Sequence, residues 1–239
     1  NARVAIPATL NVGALDLMGC SRQRLAPHQR DMARRMMRAY EAMGCTPSWT
    51  CAPYQAGHRP ALGSDVAWGE SNAVAFCNSV LGARTNRYGD FLDIACAIAG
   101  RAPDYGLHRP ENRRATVVVD VTALSQELRG SDVFYPVLGT FYGREIGTGI
   151  GVIEGLAGCA SEDRLKALGA AAASARRRCR AGTCPAASRR TSACRSVRTA
   201  RGTVGDVSCG EAYWTVAASR RSAKATVAWP CRTRSSRPS

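Results

Sequence analysis

The sequence predicts an α/β fold, and three observations support that class. Short runs with β-branched residues, of the kind buried in a sheet covered on both faces, occur at positions 2–7 and 115–121. Segments with helical periodicity lie between these runs and after them. At 239 residues, the chain is also long enough to bury a substantial core. We therefore expect strands packed between helices.

The first helix is predicted at positions 27–43. An apolar stripe repeats there at spacings of four, four and three residues, arginines occupy the opposite face, and Gly44 provides a C-terminal stop. A methionine-rich stripe also suits a pliable binding groove, but packing into the core is the more ordinary role and the one that we expect. The stripe consists of Met32, Met36, Tyr40 and Met43.

Three further helices are predicted downstream. Positions 71–83 carry an apolar stripe at helical spacing, and positions 90–99 form a helical segment that ends at Gly100. Positions 162–174 follow Ser161, whose hydroxyl can cap the first turn, and they begin with two acidic residues that the helix dipole favours. These helices and the two strand-like runs account for the α/β assignment.

Charge and composition divide the chain near residue 174. The whole chain has a formal net charge of +15, and positions 175–239 hold 15 Lys and Arg against 2 Asp and Glu. That stretch therefore has a net charge of +13, which leaves only +2 for positions 1–174. It contains no Leu, Ile, Phe, Met, Asn, Gln or His, so it cannot build an ordinary hydrophobic core. We expect an α/β domain at 1–174 and a basic, disordered or out-of-frame tail at 175–239.

Three explanations of the tail stay open. It could be a disordered basic arm that binds nucleic acid non-specifically, although its arginines follow no helix face and lack interleaved aromatic residues. It could be a cysteine-rich metal module, but the cysteine spacings of 5, 10, 15 and 22 include no C-x-x-C knuckle. We favour the third, out-of-frame translation of GC-rich coding sequence, because that yields Arg, Ala, Ser and Cys while losing Leu and Phe. Sequencing the gene distinguishes the three.

Compartment and partners follow from what the sequence contains. No run of 18 or more apolar residues occurs and no secretory leader is present, so a cytoplasmic protein without a membrane partner is expected. Eleven cysteines, an odd number, argue against a disulfide framework and favour reduced thiols or metal ligands. The chain enters an apolar segment directly after Asn1, which suggests a fragment. We expect no sequence-specific nucleic-acid partner.

Several common catalytic motifs are missing from the sequence. The glycines at 147, 149 and 151 are wrongly spaced for a G-x-G-x-x-G dinucleotide loop, and no acidic residue follows about 20 positions later, so they predict a turn. The H-E-x-x-H, P-loop and G-x-S-x-G patterns do not occur either. The sequence thus gives no indication of a zinc protease, a nucleotide-binding loop or a serine hydrolase.

Polar residues and glycines are dense at positions 51–113 and suggest an anion site. Arg84 and Arg87 can bind a carboxylate or phosphate through their guanidinium groups. Cys51 offers a soft metal ligand, and His108 can carry a proton. For any one of these residues a polar surface loop is the simpler explanation, but together they favour a site.

The same region resembles the large-subunit core of the aconitase X family. The resemblance covers positions 1–174 and then stops. It rests on Cys-Ala-Pro-Tyr at 51–54, Glu-Ser-Asn-Ala-Val at 70–74, Asn-Ser-Val-Leu-Gly-Ala-Arg-Thr-Asn-Arg-Tyr-Gly-Asp-Phe at 78–91, Gly-Leu-His at 106–108, and flanking matches at 7–11 and 162–174.

The resemblance implies aconitase-like α/β/α layers and a hydro-lyase that removes water from a small hydroxy acid. The sequence around 50–55 and 84–91 is closer to the bacterial type, which implies cis-3-hydroxy-L-proline as substrate, with mevalonate 5-phosphate as the alternative. It also implies an iron or iron–sulfur cofactor with Cys51 as a ligand. The residues implied to hold substrate are Ser71, Asn72, Ser79, Arg84, Asn86, Arg87 and His108.

One cysteine cannot hold a cluster by itself. In the resembled family, further cysteine ligands and a base-bearing swivelling domain, fused or carried by a separate small subunit, are expected after position 174, and the tail matches neither. We therefore expect this polypeptide alone to lack dehydratase activity. The alternative is a non-catalytic remnant that keeps a partial anion pocket and binds nucleic acid non-specifically through its tail.

Overall fold

The computed structural model describes residues 2–11, 15–18, 20, 25–89, 91–147 and 149–175, together with the strands at 197–199 and 213–217. The helices are α1 Pro27–Ala42, α2 Ser71–Phe76, α3 Leu92–Ala99, α4 Gln126–Arg129, α5 Phe134–Glu145 and α6 Glu162–Ala175. The strands are β1 Val117–Asp120, β2 Ile150–Glu154, β3 Val197–Thr199 and β4 Tyr213–Ala217. The hypotheses about the tail fall almost entirely outside the described residues and stay predictions.

The strands form one sheet in the order β3, β1, β2, β4. β1 and β2 are parallel, with Val117 opposite Gly151 and Asp120 opposite Glu154, and α4 and α5 make the crossover between them. β4 lies parallel to β2 on one side, and β3 lies antiparallel to β1 on the other. A parallel pair joined by a helical crossover agrees with the predicted α/β class.

Local signals predicted several element ends correctly. The Ser161 hydroxyl accepts a hydrogen bond from the Arg164 amide at 3.3 Å and caps α6. α3 ends at Gly100, which has a left-handed φ of 63°. The helix predicted at 71–83 ends two residues earlier, because α2 continues as a π-helical turn, Cys77–Leu81, and stops at Gly82, where φ is 68°. Strand β1 lies within the predicted run at 115–121.

Two predictions near the N-terminus are wrong. Residues 2–7 form no strand; they are mostly exposed and make single backbone bonds to two different segments, from Val4 to Met43 and from Ala5 to Ala97. The methionine stripe on α1 does not enter a core, because Met32 is 61% exposed, Met36 is 48% exposed and no residue of α1 is buried. The periodicity predicted the helix correctly, but its apolar face is only partly covered, because Tyr40 and Met43 are half-buried while Met32 and Met36 are exposed.

The main core lies between the sheet and helices α5 and α6. Its largest fully buried side chains include Tyr135, Tyr142 and Leu168. The two helices approach closely at Gly139 and Gly143, where an added Cβ would collide with the backbone of α6. Sequence periodicity missed α5 and β2. The predicted glycine turn is present at Gly147, with a φ of 66°, but Gly151 lies inside β2.

A smaller apolar cluster joins the 51–55 segment to α2. The rings of Tyr54 and Phe76 stack with their centroids 3.9 Å apart and almost parallel, and Ala52 and Ala73 complete the cluster. This contact fixes the start of the polar region against a helix. Among the described residues, no helix has both the length and the apolar character needed to cross a bilayer.

Candidate active site

Two irregular segments of the polar region lie side by side. Short parallel bridges pair Asp65 with Arg84 and Trp68 with Arg87, at the same three-residue spacing in each segment. The Arg84 amide donates to Ser64 O at 2.8 Å, and the Tyr88 amide donates to Trp68 O at 3.0 Å. These bonds place the Arg84–Tyr88 backbone against residues 64–68, which lie far away in sequence.

Asn78 holds this arrangement to α2. Its buried amide nitrogen donates to the carbonyl oxygens of Val74 and Thr85, both at 2.9 Å. Its side-chain oxygen accepts from the Thr85 amide at 3.3 Å and from Arg113 Nη1 at 2.6 Å. One buried amide thus connects the helix, the segment that carries Arg84, and Arg113. Sequence analysis included Asn78 in a motif but gave it no role.

A cavity of about 630 Å³ opens beside these segments. Arg84 lines it, and Arg84 Nη2 donates to Gly63 O at 2.6 Å and to Asp65 Oδ2 at 3.0 Å. Arg84 Nε is buried without a hydrogen-bond partner within the described residues. The complete lining is Asp65, Arg84, Gly100, Arg101, Ala102, Pro103, Asp104, His108, Arg109, Pro110 and Glu111.

His108 is buried at the edge of this cavity and both of its ring nitrogens have partners. Nδ1 lies 2.8 Å from Asp65 Oδ1, and Nε2 lies 2.5 Å from the Tyr88 hydroxyl. Burial raises the pKa of Tyr88, so its hydroxyl keeps its proton at neutral pH. Asp104 pairs with Arg109 nearby and raises the pKa of that guanidinium. Asp65 and Asp104 had no recognisable signal in the sequence, and Tyr88 lies in the resembled motif at 78–91 without a predicted role.

The predicted substrate residues fall into three sets. Arg84 and His108 line the cavity, and Asn86 supports its wall by donating to Tyr105 O at 3.1 Å and accepting from the Leu107 amide at 2.8 Å. Arg87 is exposed on the neighbouring bridge. The third set lies on α2 and its π-helical extension and is half-buried; it comprises Ser71, Asn72 and Ser79.

Asn72 and Cys51 lie around Tyr54, away from the residues that line the cavity. Asn72 Nδ2 donates to the Tyr54 hydroxyl at 3.4 Å, and its buried Oδ1 has no partner in the described part of the chain. Burial, with a smaller contribution from the nearby Cys51 thiol, raises the pKa of Tyr54 to about 12. Tyr54 in turn stacks with Trp68 at 6.5 Å. This aromatic contact links the Cys51 segment to the bridged segments.

The described residues do not make a metal site. Cys51 is exposed on a bend, and no three His, Cys, Asp or Glu side chains are grouped as metal ligands in this part of the protein. Burial raises the pKa of Cys77 to about 12, so that thiol stays protonated and behaves as a core residue. The assignment of Cys51 as an iron ligand therefore stays a prediction.

Two family models match consecutive parts of this chain. The aconitase X first domain matches residues 1–111, which include the polar loops and the cavity, and the aconitase X second domain matches residues 115–177, which include the core of α5 and α6. The chain therefore belongs to the aconitase X family.

Individual relatives agree with that membership. The cis-3-hydroxy-L-proline dehydratase of Pseudomonas aeruginosa is 44% identical over 171 residues, which are 71% of this chain and 29% of that protein. The phosphomevalonate dehydratase large subunit of Methanothermobacter thermautotrophicus is 47% identical over 176 residues, or 72% of this chain and 42% of that subunit. The crystal structure of holo-form aconitase X from Thermococcus kodakaraensis superposes with a TM-score of 0.62 at 36% identity, covering 73% of this chain and 42% of that one.

These matches confirm the predicted family and the α/β class with its aconitase-like layers. The chain spans less than half the length of each of these relatives.

Proposed function

We propose that residues 1–174 provide part of the substrate pocket of a hydro-lyase that dehydrates cis-3-hydroxy-L-proline. The observation that carries this proposal is the charge of the cavity lining. Three arginines and three carboxylates line this cavity, so the formal charge of the lining sums to zero although it contains both positive and negative groups. These residues are Arg84, Arg101, Arg109, Asp65, Asp104 and Glu111.

A balanced lining suits a zwitterion better than a phosphate ester. The carboxylate of a hydroxyproline can pair with a guanidinium, and its ring ammonium can pair with a carboxylate of the lining. Mevalonate 5-phosphate carries only negative charge, so it would leave the cavity carboxylates opposed to like charge. In this proposal Arg84 binds the substrate carboxylate, because Asp65 and Gly63 O already hold its guanidinium in place.

Dehydration requires a leaving hydroxide and removal of a proton from the neighbouring carbon. The residues described here bind and orient; we assign none of them as the base. An iron or iron–sulfur cofactor is proposed on the basis of the family, with Cys51 as one ligand. The described residues do not complete a ligand set for that cofactor.

The remaining assignments belong to the same proposal. Asn86 supports the pocket wall. The proposal that Arg87, Ser71, Asn72 and Ser79 contact substrate rests on the family resemblance alone, since none of them lines the cavity. The protein is proposed to act in the cytoplasm and to have a small swivelling domain or subunit as its partner. The proposed boundary near residue 174 separates the catalytic part from the tail.

A second candidate is the large subunit of a phosphomevalonate dehydratase. The 47% identity to the Methanothermobacter subunit favours it, and it would require a separate small subunit. The charge balance of the cavity is the reason for ranking it second.

A chimera tests the proposal. Residues 1–174 replace the matching region of the Pseudomonas cis-3-hydroxy-L-proline dehydratase and, in parallel, that of the Methanothermobacter large subunit with its small subunit present. We expect turnover of cis-3-hydroxy-L-proline in the first chimera, at least tenfold loss on Arg84→Met, and no turnover by the chain alone. Arg144→Met, an exposed arginine of α5, is the control for Arg84→Met. Activity confined to mevalonate 5-phosphate in the second chimera would refute the substrate assignment.

A further inference from the structure

One continuous series of hydrogen bonds runs along the wall of the cavity. Asp65 lies at its centre, since Oδ1 is 2.8 Å from His108 Nδ1 and Oδ2 accepts from Arg84 Nη2 at 3.0 Å. On the far side of the imidazole, Nε2 is 2.5 Å from the Tyr88 hydroxyl, which also accepts from Asn86 Nδ2 at 3.2 Å. Five side chains from three separate stretches of the sequence are thereby connected.

The partners determine where the protons lie. A carboxylate only accepts hydrogen bonds, so the His108 nitrogen that faces Asp65 carries the hydrogen. The Tyr88 hydroxyl accepts from Asn86, and it can donate its own hydrogen to Nε2 when that nitrogen carries none. Both ring nitrogens of His108 are then occupied, which leaves the imidazole no free polar atom for a ligand in the cavity.

Arg84 is the group in this series that remains suited to an anion. Its Nη2 is held by Asp65 and Gly63 O, and its side chain is about three-quarters buried along the cavity. Without Asp65 the guanidinium keeps a single fixed bond and can change rotamer.

We propose that Asp65 is a positioning residue that sets the tautomer of His108 and directs the Arg84 guanidinium to its ligand in the cavity. The ligand part of this inference rests on the proposed function; the tautomer part does not. In Asp65→Asn the single amide oxygen stays with Arg84, and the amide nitrogen then faces Nδ1 and favours the tautomer with hydrogen on Nε2.

The test uses the full chain and two independent measurements. Long-range proton–nitrogen NMR correlations report the His108 tautomer without ligand, and calorimetry reports the affinity for cis-3-hydroxy-L-proline. We expect Asp65→Asn to move the ring hydrogen to Nε2. We expect Asp65→Ala, which also removes the oxygen that holds Arg84, to weaken binding about tenfold, equivalent to about 1.4 kcal/mol. Asp132→Asn is the matched control, because Asp132 also accepts from an arginine, at 2.7 Å, but lies outside the cavity.

Tyr88→Phe keeps the proposal falsifiable if Asp65→Asn does not fold. That variant removes the partner of Nε2 but leaves Asp65, so the hydrogen is expected to stay on Nδ1. The inference is overturned if His108 keeps its hydrogen on Nδ1 in Asp65→Asn, or if that hydrogen leaves Nδ1 in Tyr88→Phe. If the native chain does not bind cis-3-hydroxy-L-proline, the proposed function fails, while the tautomer measurement still decides the role of Asp65.

Discussion

The packed region, residues 115–175, and the polar region, residues 51–113, are stabilised in different ways. The packed region buries Tyr135, Tyr142 and Leu168 completely between two helices and a sheet. The polar region has little regular structure beyond short helices, and it contains the buried polar side chains found among the described residues, which are Asn78, Thr85 and His108. Apolar packing therefore supports the layers, whereas buried hydrogen bonds fix the geometry of the candidate site.

The largest effect is expected from a cavity in the packed region. Leu168→Ala removes a fully buried side chain that contacts α5, and we expect the free energy of unfolding to fall by about 3 kcal/mol. Denaturant unfolding measures this loss. Val137→Ala on the outer face of α5, where the side chain is 60% exposed, is the control and should change stability by less than about 0.5 kcal/mol. Equal losses in both variants would contradict the assignment of this core.

An intermediate effect is expected from the polar region. Asn78→Ala leaves the amide and carbonyl groups of Thr85 without their Asn78 partner, which costs about 2 kcal/mol of unfolding free energy. The rate of hydrogen exchange at the Thr85 amide should rise by more than the loss of global stability alone predicts. Asn112→Ala, which removes one exposed bond to Gly106 O, is the control. Unchanged exchange at Thr85 would show that the network does not hold this segment.

The smallest effect is expected where the two regions meet. Arg59 donates to both carboxylate oxygens of Glu162 on α6, at 3.1 and 2.8 Å, but the two side chains are 43% and 58% exposed. A double-mutant cycle with Arg59→Ala and Glu162→Ala should give a coupling energy below about 1 kcal/mol that falls with added salt. A coupling above about 2 kcal/mol would mean that the two regions stabilise each other far more than this exposed contact allows.

Sequence reasoning worked best where the cause is local. The Ser161 cap, the stop at Gly100 and strand β1 follow from neighbouring residues, and the structure contains all three. It failed for the exposed α1 stripe, because periodicity identifies an apolar face without identifying what covers it. It also missed α5, whose close packing at Gly139 becomes visible only beside α6.

The candidate site was predictable in part. Arg84, which belongs to the predicted motif, and His108, which the resemblance implies, line the same cavity, whereas their roles stay predictions. Asp65 was not found, because an isolated acidic residue has no meaning until the fold brings it against Arg84 and His108.

The sequence by itself determined the family, the α/β class and the short stretches that supply the polar side chains, because these depend on local pattern and motif. Only the tertiary structure decided which side chains meet. Asp65 and His108 are 43 positions apart, and their contact depends on the pairing of residues 64–68 with 84–88. That pairing is held by Asn78, and a buried amide has that role only when a folded chain surrounds it with donors and acceptors.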